Sequence, residues 1–335
     1  MDLPTFWFAL IALLWLGYLF LEGFDFGVGM LLPVLGRDER ERRVLINTIG
    51  PVWDGNEVWL IVAIGATFAA FPGWYAALLS TTYLPLLLLL LMLIGRGVAF
   101  EYRGKVDTAR WRRTWDVVIV TASWIAPMMI GLVLSASVFG LPLDANGDRV
   151  GGPLVLLTLP NVLGALAVWG FSFLHGAVFL SLKTAGEVRE RARKFALRFG
   201  APLLLPVIGL LLLAQLPQGD PWTWVPLGVA LAAAVAGLAR MISWREGQAF
   251  ALQGIALAGV VVTLFGALWP NVIPSTLDPA WSLSVADTAS SPYTLTVITW
   301  VAAFGTPAVL VYQGWTYWVF RKRIGTQHIP PVHAP

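Results

Sequence analysis

The chain has 335 residues, 58% of them hydrophobic and 12% charged, with a formal net charge of +3 and no cysteine. Soluble domains carry about 25% charged residues; with that half missing and a mean hydropathy of +0.75, a soluble globular protein is excluded, and the lack of cysteine excludes disulfides, thiolate metal sites and thioether-linked haem. The sequence pI of about 9.3 does not point to nucleic acid, because the basic residues fall in short segments between apolar runs, where membrane topology requires them.

Nine runs are apolar enough to cross a bilayer, which takes about 18 residues or more as a helix. They are expected near 5–34, 51–71, 75–99, 115–139, 158–182, 199–216, 222–242, 249–270 and 293–320. Backbone in hydrocarbon must satisfy its own hydrogen bonds, and the runs lack the alternation of barrel strands. The expected fold is therefore an all-α polytopic membrane protein of about nine transmembrane helices, residues 1–335 forming a single integral membrane domain. Met1–Phe8 has neither a basic n-region nor a small-residue cleavage site after it, so the first run reads as a retained span. Pro85, Pro127, Pro202, Pro206, Pro226 and Pro307 interrupt several runs; neighbouring helices re-satisfy freed carbonyls, so these mark kinks.

Arginine and lysine fix the orientation. Arg37, Arg40, Arg42 and Arg43 follow the first run; Arg103, Lys105, Arg110, Arg112 and Arg113 follow the third. Lys183, Arg189, Arg191, Arg193, Lys194 and Arg198 follow the fifth, Arg240 and Arg245 the seventh, and Arg321, Lys322 and Arg323 the ninth. The opposite loops hold a single basic residue, Arg149. By the positive-inside rule the N-terminus is outside and the C-terminus cytoplasmic. Trp53, Trp74, Trp222 and Trp269 lie near run ends, as interfacial anchors do.

Charges within spans cost several kcal/mol and are functional candidates by default. Glu22 and Asp25 stand three apart in the first run, on one helix face; Asp54 and Glu57 repeat that spacing at the start of the second, and Arg96 closes the third. Topology puts all five towards the cytoplasmic side. One reading is a proton or cation entrance from the cytoplasm. The other is that Asp54 and Glu57 are helix-start acids after Pro51 and that Arg96 simply pairs with Asp25. His175 is the only histidine within a run, with His328 and His333 in the tail. It reads as a hydrogen-bonded core histidine, with haem ligation or proton relay as the alternative. No metal site is expected. Without inverted repeats, the pattern gives no support of that kind to a proton- or cation-coupled transporter, which stays open as the alternative.

Several strings resemble subunit II of the cytochrome bd-type quinol oxidases: Gly23-Phe24-Asp25-Phe26-Gly27-Val28-Gly29-Met30, Trp53-Asp54-Gly55-Asn56-Glu57-Val58-Trp59, Phe100-Glu101-Tyr102-Arg103-Gly104-Lys105, and Pro270-Asn271-Val272-Ile273-Pro274-Ser275-Thr276. They occur in order from the first run to Arg323 and are sparsest between about 140 and 260. The resemblance implies two four-helix bundles plus a peripheral ninth helix in a bacterial cytoplasmic membrane. It implies a complex that oxidises quinol and reduces oxygen to water, with haem b, haem d and the quinol site in a partner, subunit I. It leaves room for a small accessory subunit and for bound lipid or quinone. This chain, not catalytic alone, is then expected to stabilise subunit I and to conduct protons. Asp25, Asp54 and Arg96 fall at proton-path positions of that family, Glu22 at a place where an acid is familiar, and Glu57 at a less typical one. Trp59 is expected at the subunit interface, and His175 matches no role in the family.

Overall fold

The computed structural model describes residues 2–329, so His333 lies outside the described residues. Helix α1 (Leu3–Leu35) is followed by a short amphipathic α2 (Glu39–Ile49), then α3 (Trp53–Ala70), α4 (Pro72–Thr81), α5 (Tyr83–Tyr102) and α6 (Ala109–Phe139). The second half runs through α7 (Leu159–Lys183), α8 (Gly186–Gln218), α9 (Trp224–Ile242) and α10 (Glu246–Leu268). A two-stranded antiparallel ribbon, β1 (Asn271–Ile273) with β2 (Leu283–Ser284), a single turn α11 (Val285–Thr288) and the long α12 (Pro292–Val319) complete it.

Among the described residues, eight helices are long and apolar enough to cross a membrane: α1, α5, α6, α7, α8, α9, α10 and α12. The second expected span, 51–71, is α3, which is not among them; it has 18 residues, about 27 Å of helix, and its opening turns are diluted by Asp54, Asn56 and Glu57. Helices α1, α3, α5 and α6 pack as one four-helix group and α7 to α10 as a second, joined where α7 lies against α1 and α6. Helix α12 packs chiefly on α3 and α1 among the long helices and buries one residue, Leu295. It is the expected peripheral helix.

The seam explains the glycines of the Gly23–Gly29 string. A Cβ on Gly27 would lie 2.0 Å from the Ser172 carbonyl oxygen, and one on Gly29 would meet the Ser123 side chain at 2.0 Å. Backbone-to-backbone contact between α1 and α7 therefore requires glycine at 27, the small-residue packing usual where apolar burial cannot drive association in lipid.

Two expected elements differ from the structure. The run at 75–99 is not one helix; it breaks at Thr82, and the span is α5 alone. Pro85 lacks an N–H and its ring crowds the carbonyl four residues back, so the helix restarts with proline in its first turn. The freed Thr81 carbonyl accepts a hydrogen bond from Arg149 Nη1 at 2.9 Å. The single basic residue on its side of the molecule thus has a structural employment. The expected sixth span, 199–216, is the apolar part of a helix that begins at Gly186. Its basic approach is helical and its arginines reach neighbouring elements: Arg193 donates to the Met241 and Ile242 carbonyls at 2.7 Å each, capping α9. Pro127, Pro202, Pro206 and Pro307 lie inside continuous helices.

Candidate functional site

Three helices bring the expected charges together. On α1, Tyr18, Glu22 and Asp25 share a face at helical spacing; all are at most 1% exposed. The α5 stripe Leu89, Leu93, Arg96, Ala99 points inward, and places Arg96, 1% exposed, against α1. Arg96 Nη1 forms an ion pair with Glu22 Oε1. Its guanidinium also lies over the rings of Phe26, 4.7 Å from the centroid, and Phe100, 5.1 Å, a favourable contact for a desolvated cation. The alternative pairing of Arg96 with Asp25 is not the one formed. Asp25 Oδ2 instead accepts from Asn56 Nδ2 of α3 at 2.8 Å.

The cluster is under-partnered. Tyr18 OH, Glu22 Oε2, Asp25 Oδ1, Arg96 Nε and Arg96 Nη2 are buried and have no protein hydrogen-bond partner. Buried polar atoms in folded proteins are nearly always satisfied by protein or water. The five unpartnered atoms, on Glu22, Asp25, Arg96 and the tyrosine one turn away, leave hydrogen-bonding capacity that the protein itself does not fill.

Burial of the two α3 acids falls off outward. Glu57 is half-buried and Asp54 exposed, and neither makes a hydrogen bond or ion pair with the described residues. Asp54 lies in the first turn of α3, where its charge is favoured by the helix dipole, as the helix-start reading requires; the structure does not bring it into contact with Glu22, Asp25 or Arg96. Trp59 is half-buried, its ring covering Gly17 and its Nε1 donating to Gln313 Oε1 of α12 at 2.8 Å.

Sequence reasoning missed the neutral members of the site. Asn56 donates from Nδ2 to Asp25 and accepts at Oδ1 from Tyr317 OH at 2.7 Å and Gln313 Nε2 at 3.3 Å. Asn56 was visible within its string, and Gln313 is the one amide in the last apolar run. Neither carries a charge to make it conspicuous.

His175 is fully buried, with Nδ1 2.7 Å from Gln253 Oε1 and Nε2 3.0 Å from the Phe20 carbonyl oxygen. Its ring is stacked between Phe250, 4.7 Å away at 8°, and Phe171, 4.9 Å away at 24°. Both ring nitrogens are committed to protein partners, so neither is free to ligate iron, and the residues here do not fit a haem. No group of three or more His, Asp or Glu able to hold a metal occurs among the described residues. An apolar cavity of about 300 Å³ lies between the two helical groups, lined by Trp15, Trp74, Phe171, Leu257 and Leu268 and by no charged side chain.

The family profile for cytochrome bd terminal oxidase subunit II matches residues 3–320. The chain belongs to that family. Cytochrome bd ubiquinol oxidase subunit 2 of Bacillus subtilis is 42% identical to it over 329 residues, covering 96% of this chain and 97% of the relative. Cytochrome bd-I ubiquinol oxidase subunit 2 of Escherichia coli is 33% identical over 364 residues, covering 96% and 95%. A chain in the structure of bd oxidase from Geobacillus thermodenitrificans superposes with a TM-score of 0.77 at 18% identity, over 96% of this chain and all of that one. That likeness is one of fold. It matches the all-α arrangement found here, and three of the four strings that carry the resemblance lie on or at the end of the helices this bd subunit II uses to build its buried cluster, α1, α3 and α5, while the fourth contains β1.

Proposed function

We propose that this subunit II pairs with a haem-carrying subunit I in the bacterial cytoplasmic membrane, stabilises it, and conducts to it the protons consumed in oxygen reduction. The observation that carries this reading is the buried, incompletely partnered Glu22–Asp25–Arg96 cluster. Haems held by subunit I supply electron transfer and the reduction of oxygen, and the quinol is oxidised there; this chain is not catalytic alone.

Electrons arriving at a site of low dielectric build negative charge unless protons accompany them, because Coulomb energies rise as the effective dielectric falls. Carboxylates answer that need. With the N-terminus outside and the basic ends of the helices in the cytoplasm, exposed Asp54 meets cytoplasmic water and takes up a proton. Half-buried Glu57 is the intermediate station, and Glu22 and Asp25 hold the proton at depth. Arg96 offsets the negative charge that the two buried carboxylates would otherwise impose on each other. The exposed apolar faces of α3, α5 and α12, with Ile61, Ile94 and Phe304 at least 63% exposed, form the surface offered to subunit I, with Trp59 at its edge. The transporter alternative has no observation of its own once family membership is known.

The test is Asp25→Asn in the complex purified with its haem partner. Oxygen consumption is expected to fall about a hundredfold, the scale of a lost proton-transfer group, while complex yield and the reduced-minus-oxidised haem spectrum stay as in the unmodified enzyme. Unchanged turnover overturns the path. Asp54→Asn in the same assay decides whether the entrance includes that residue.

A further inference from the structure

Helix α12 is almost wholly exposed, with Leu295 its one buried residue, yet two of its side chains converge on a single buried atom. Tyr317 OH lies 2.7 Å and Gln313 Nε2 3.3 Å from Asn56 Oδ1. The direction of every bond in this chain follows from its first member. An indole N–H can only donate, so Trp59 Nε1, 2.8 Å from Gln313, fixes that amide with its oxygen towards Trp59. Gln313 therefore presents its NH2 to Asn56, which sets the Asn56 oxygen towards α12. The Asn56 NH2 is left facing inward, to the Leu21 carbonyl at 3.3 Å and to Asp25 Oδ2 at 2.8 Å.

We propose that Trp59, Gln313 and Tyr317 are positioning residues that hold the Asn56 amide in the orientation that donates to Asp25, so that the peripheral helix controls how the buried carboxylate holds and releases its proton. This deepens the proton-path reading and rests on it. Asn56 is 0% exposed, so no solvent competes for its amide once the α12 donors are gone. An amide free to turn over presents its oxygen to Asp25, replacing an attraction by a repulsion. Because Tyr317 and Gln313 act through Asn56, their removal should matter only while Asn56 is present.

The experiment uses the purified two-subunit complex, measuring kcat and KM for quinol from oxygen consumption. Haem absorbance per complex serves as the control for assembly. Tyr317→Phe with Gln313→Met is expected to lower kcat about fivefold, the size of one hydrogen bond's net contribution, with KM and haem absorbance unchanged. Adding the same pair to Asn56→Leu should lower kcat no further than Asn56→Leu alone, since residues acting through one group are non-additive. If Asn56→Leu does not assemble, Trp59→Phe is combined with Gln313→Met and the same non-additivity is expected. A kcat equal to that of the unmodified complex, or effects that multiply in either cycle, overturns the proposal. Asp25→Asn run alongside separates the two levels. If it slows turnover and the α12 variants do not, the positioning role alone fails; if it has no effect, the proton path fails and the positioning role with it.

Discussion

Two arginine–carboxylate clusters lie on the same helix, about two turns apart, and they are built differently. Arg103, at the end of α5, has a carboxylate partner on each of its three side-chain nitrogens. Its Nε donates to Asp116 Oδ1 at 2.5 Å, its Nη1 and Nη2 to the two Glu39 oxygens at 2.9 Å each, and its Nη2 also to Asp116 Oδ2 at 3.3 Å. Arg42 joins from α2 at 3.3 Å. Arg96, deeper in the same helix, has one carboxylate partner and leaves Nε and Nη2 without any. The geometry at Arg103 ties α2, α5 and α6 together at the basic end and leaves none of its side-chain nitrogens without a carboxylate partner. That at Arg96 retains unused hydrogen-bonding capacity in a place where desolvation is most costly. A staple has no need of such spare groups, whereas a proton route does.

The largest effect that sharpens this contrast is at Glu22. Glu22→Gln leaves Arg96 without its ion-pair partner, and breaking a buried pair from one side costs about 3–5 kcal/mol. The expected result is a large loss of assembled complex, read from yield and from thermal stability in detergent. Replacing both members, Glu22→Met with Arg96→Met, removes the uncompensated charge and should restore assembly, because apolar substitutes for a buried pair are often neutral. Oxygen consumption should stay low in that double variant. Restored assembly with full turnover would make the deep pair a staple like the other.

Arg103→Lys is the counterpart at the basic end. Lysine has no planar fork to serve Asp116 and Glu39 together, and hydrogen bonds to charged groups contribute about 1.5–3 kcal/mol each. Thermal stability is expected to drop by an amount of that order, with kcat of the surviving complex unchanged. A fall in kcat at constant haem content would extend the functional region to the basic end.

The difference between the two clusters was only half legible in the sequence. Glu22, Asp25 and Arg96 stand out because a charge in an apolar run is conspicuous, and helical spacing alone puts the two acids on one face. Nothing in spacing told that Arg96 would pair with Glu22 and not Asp25, since both choices lie within one helical turn. Asn56, Gln313 and Tyr317 escaped because neutral polar residues are common in membrane helices and their partners come from helices far apart in sequence. Arg103 was read only as a basic topology residue and part of a family string, and its partners Asp116 and Glu39 were not singled out. Segmentation erred where charge and helix ran together: α8 begins at Gly186, but its first turns carry so many arginines that hydropathy alone reads a loop. The span pattern itself was clear, because hydropathy reports burial in lipid directly.

The smallest expected effect concerns Arg149, which looked like the exception to the positive-inside pattern. Its Nη1 donates to the Thr81 carbonyl that Pro85 leaves without a helical partner, so its role lies in the α4–α5 break and not in topology or proton transfer. Arg149→Met removes that donor from a half-buried position and keeps most of the aliphatic stem. The loss should be about 1 kcal/mol, the net value of one hydrogen bond, seen as a small drop in thermal stability of the complex with kcat unchanged. Pairing the change with Pro85→Ala gives the carbonyl a potential helical N–H donor in place of Arg149. If the break at Thr82 exists because of Pro85, the double variant should recover the stability that Arg149→Met alone gives up; a further loss would mean that the break is held by the packing of α4 and not by the proline.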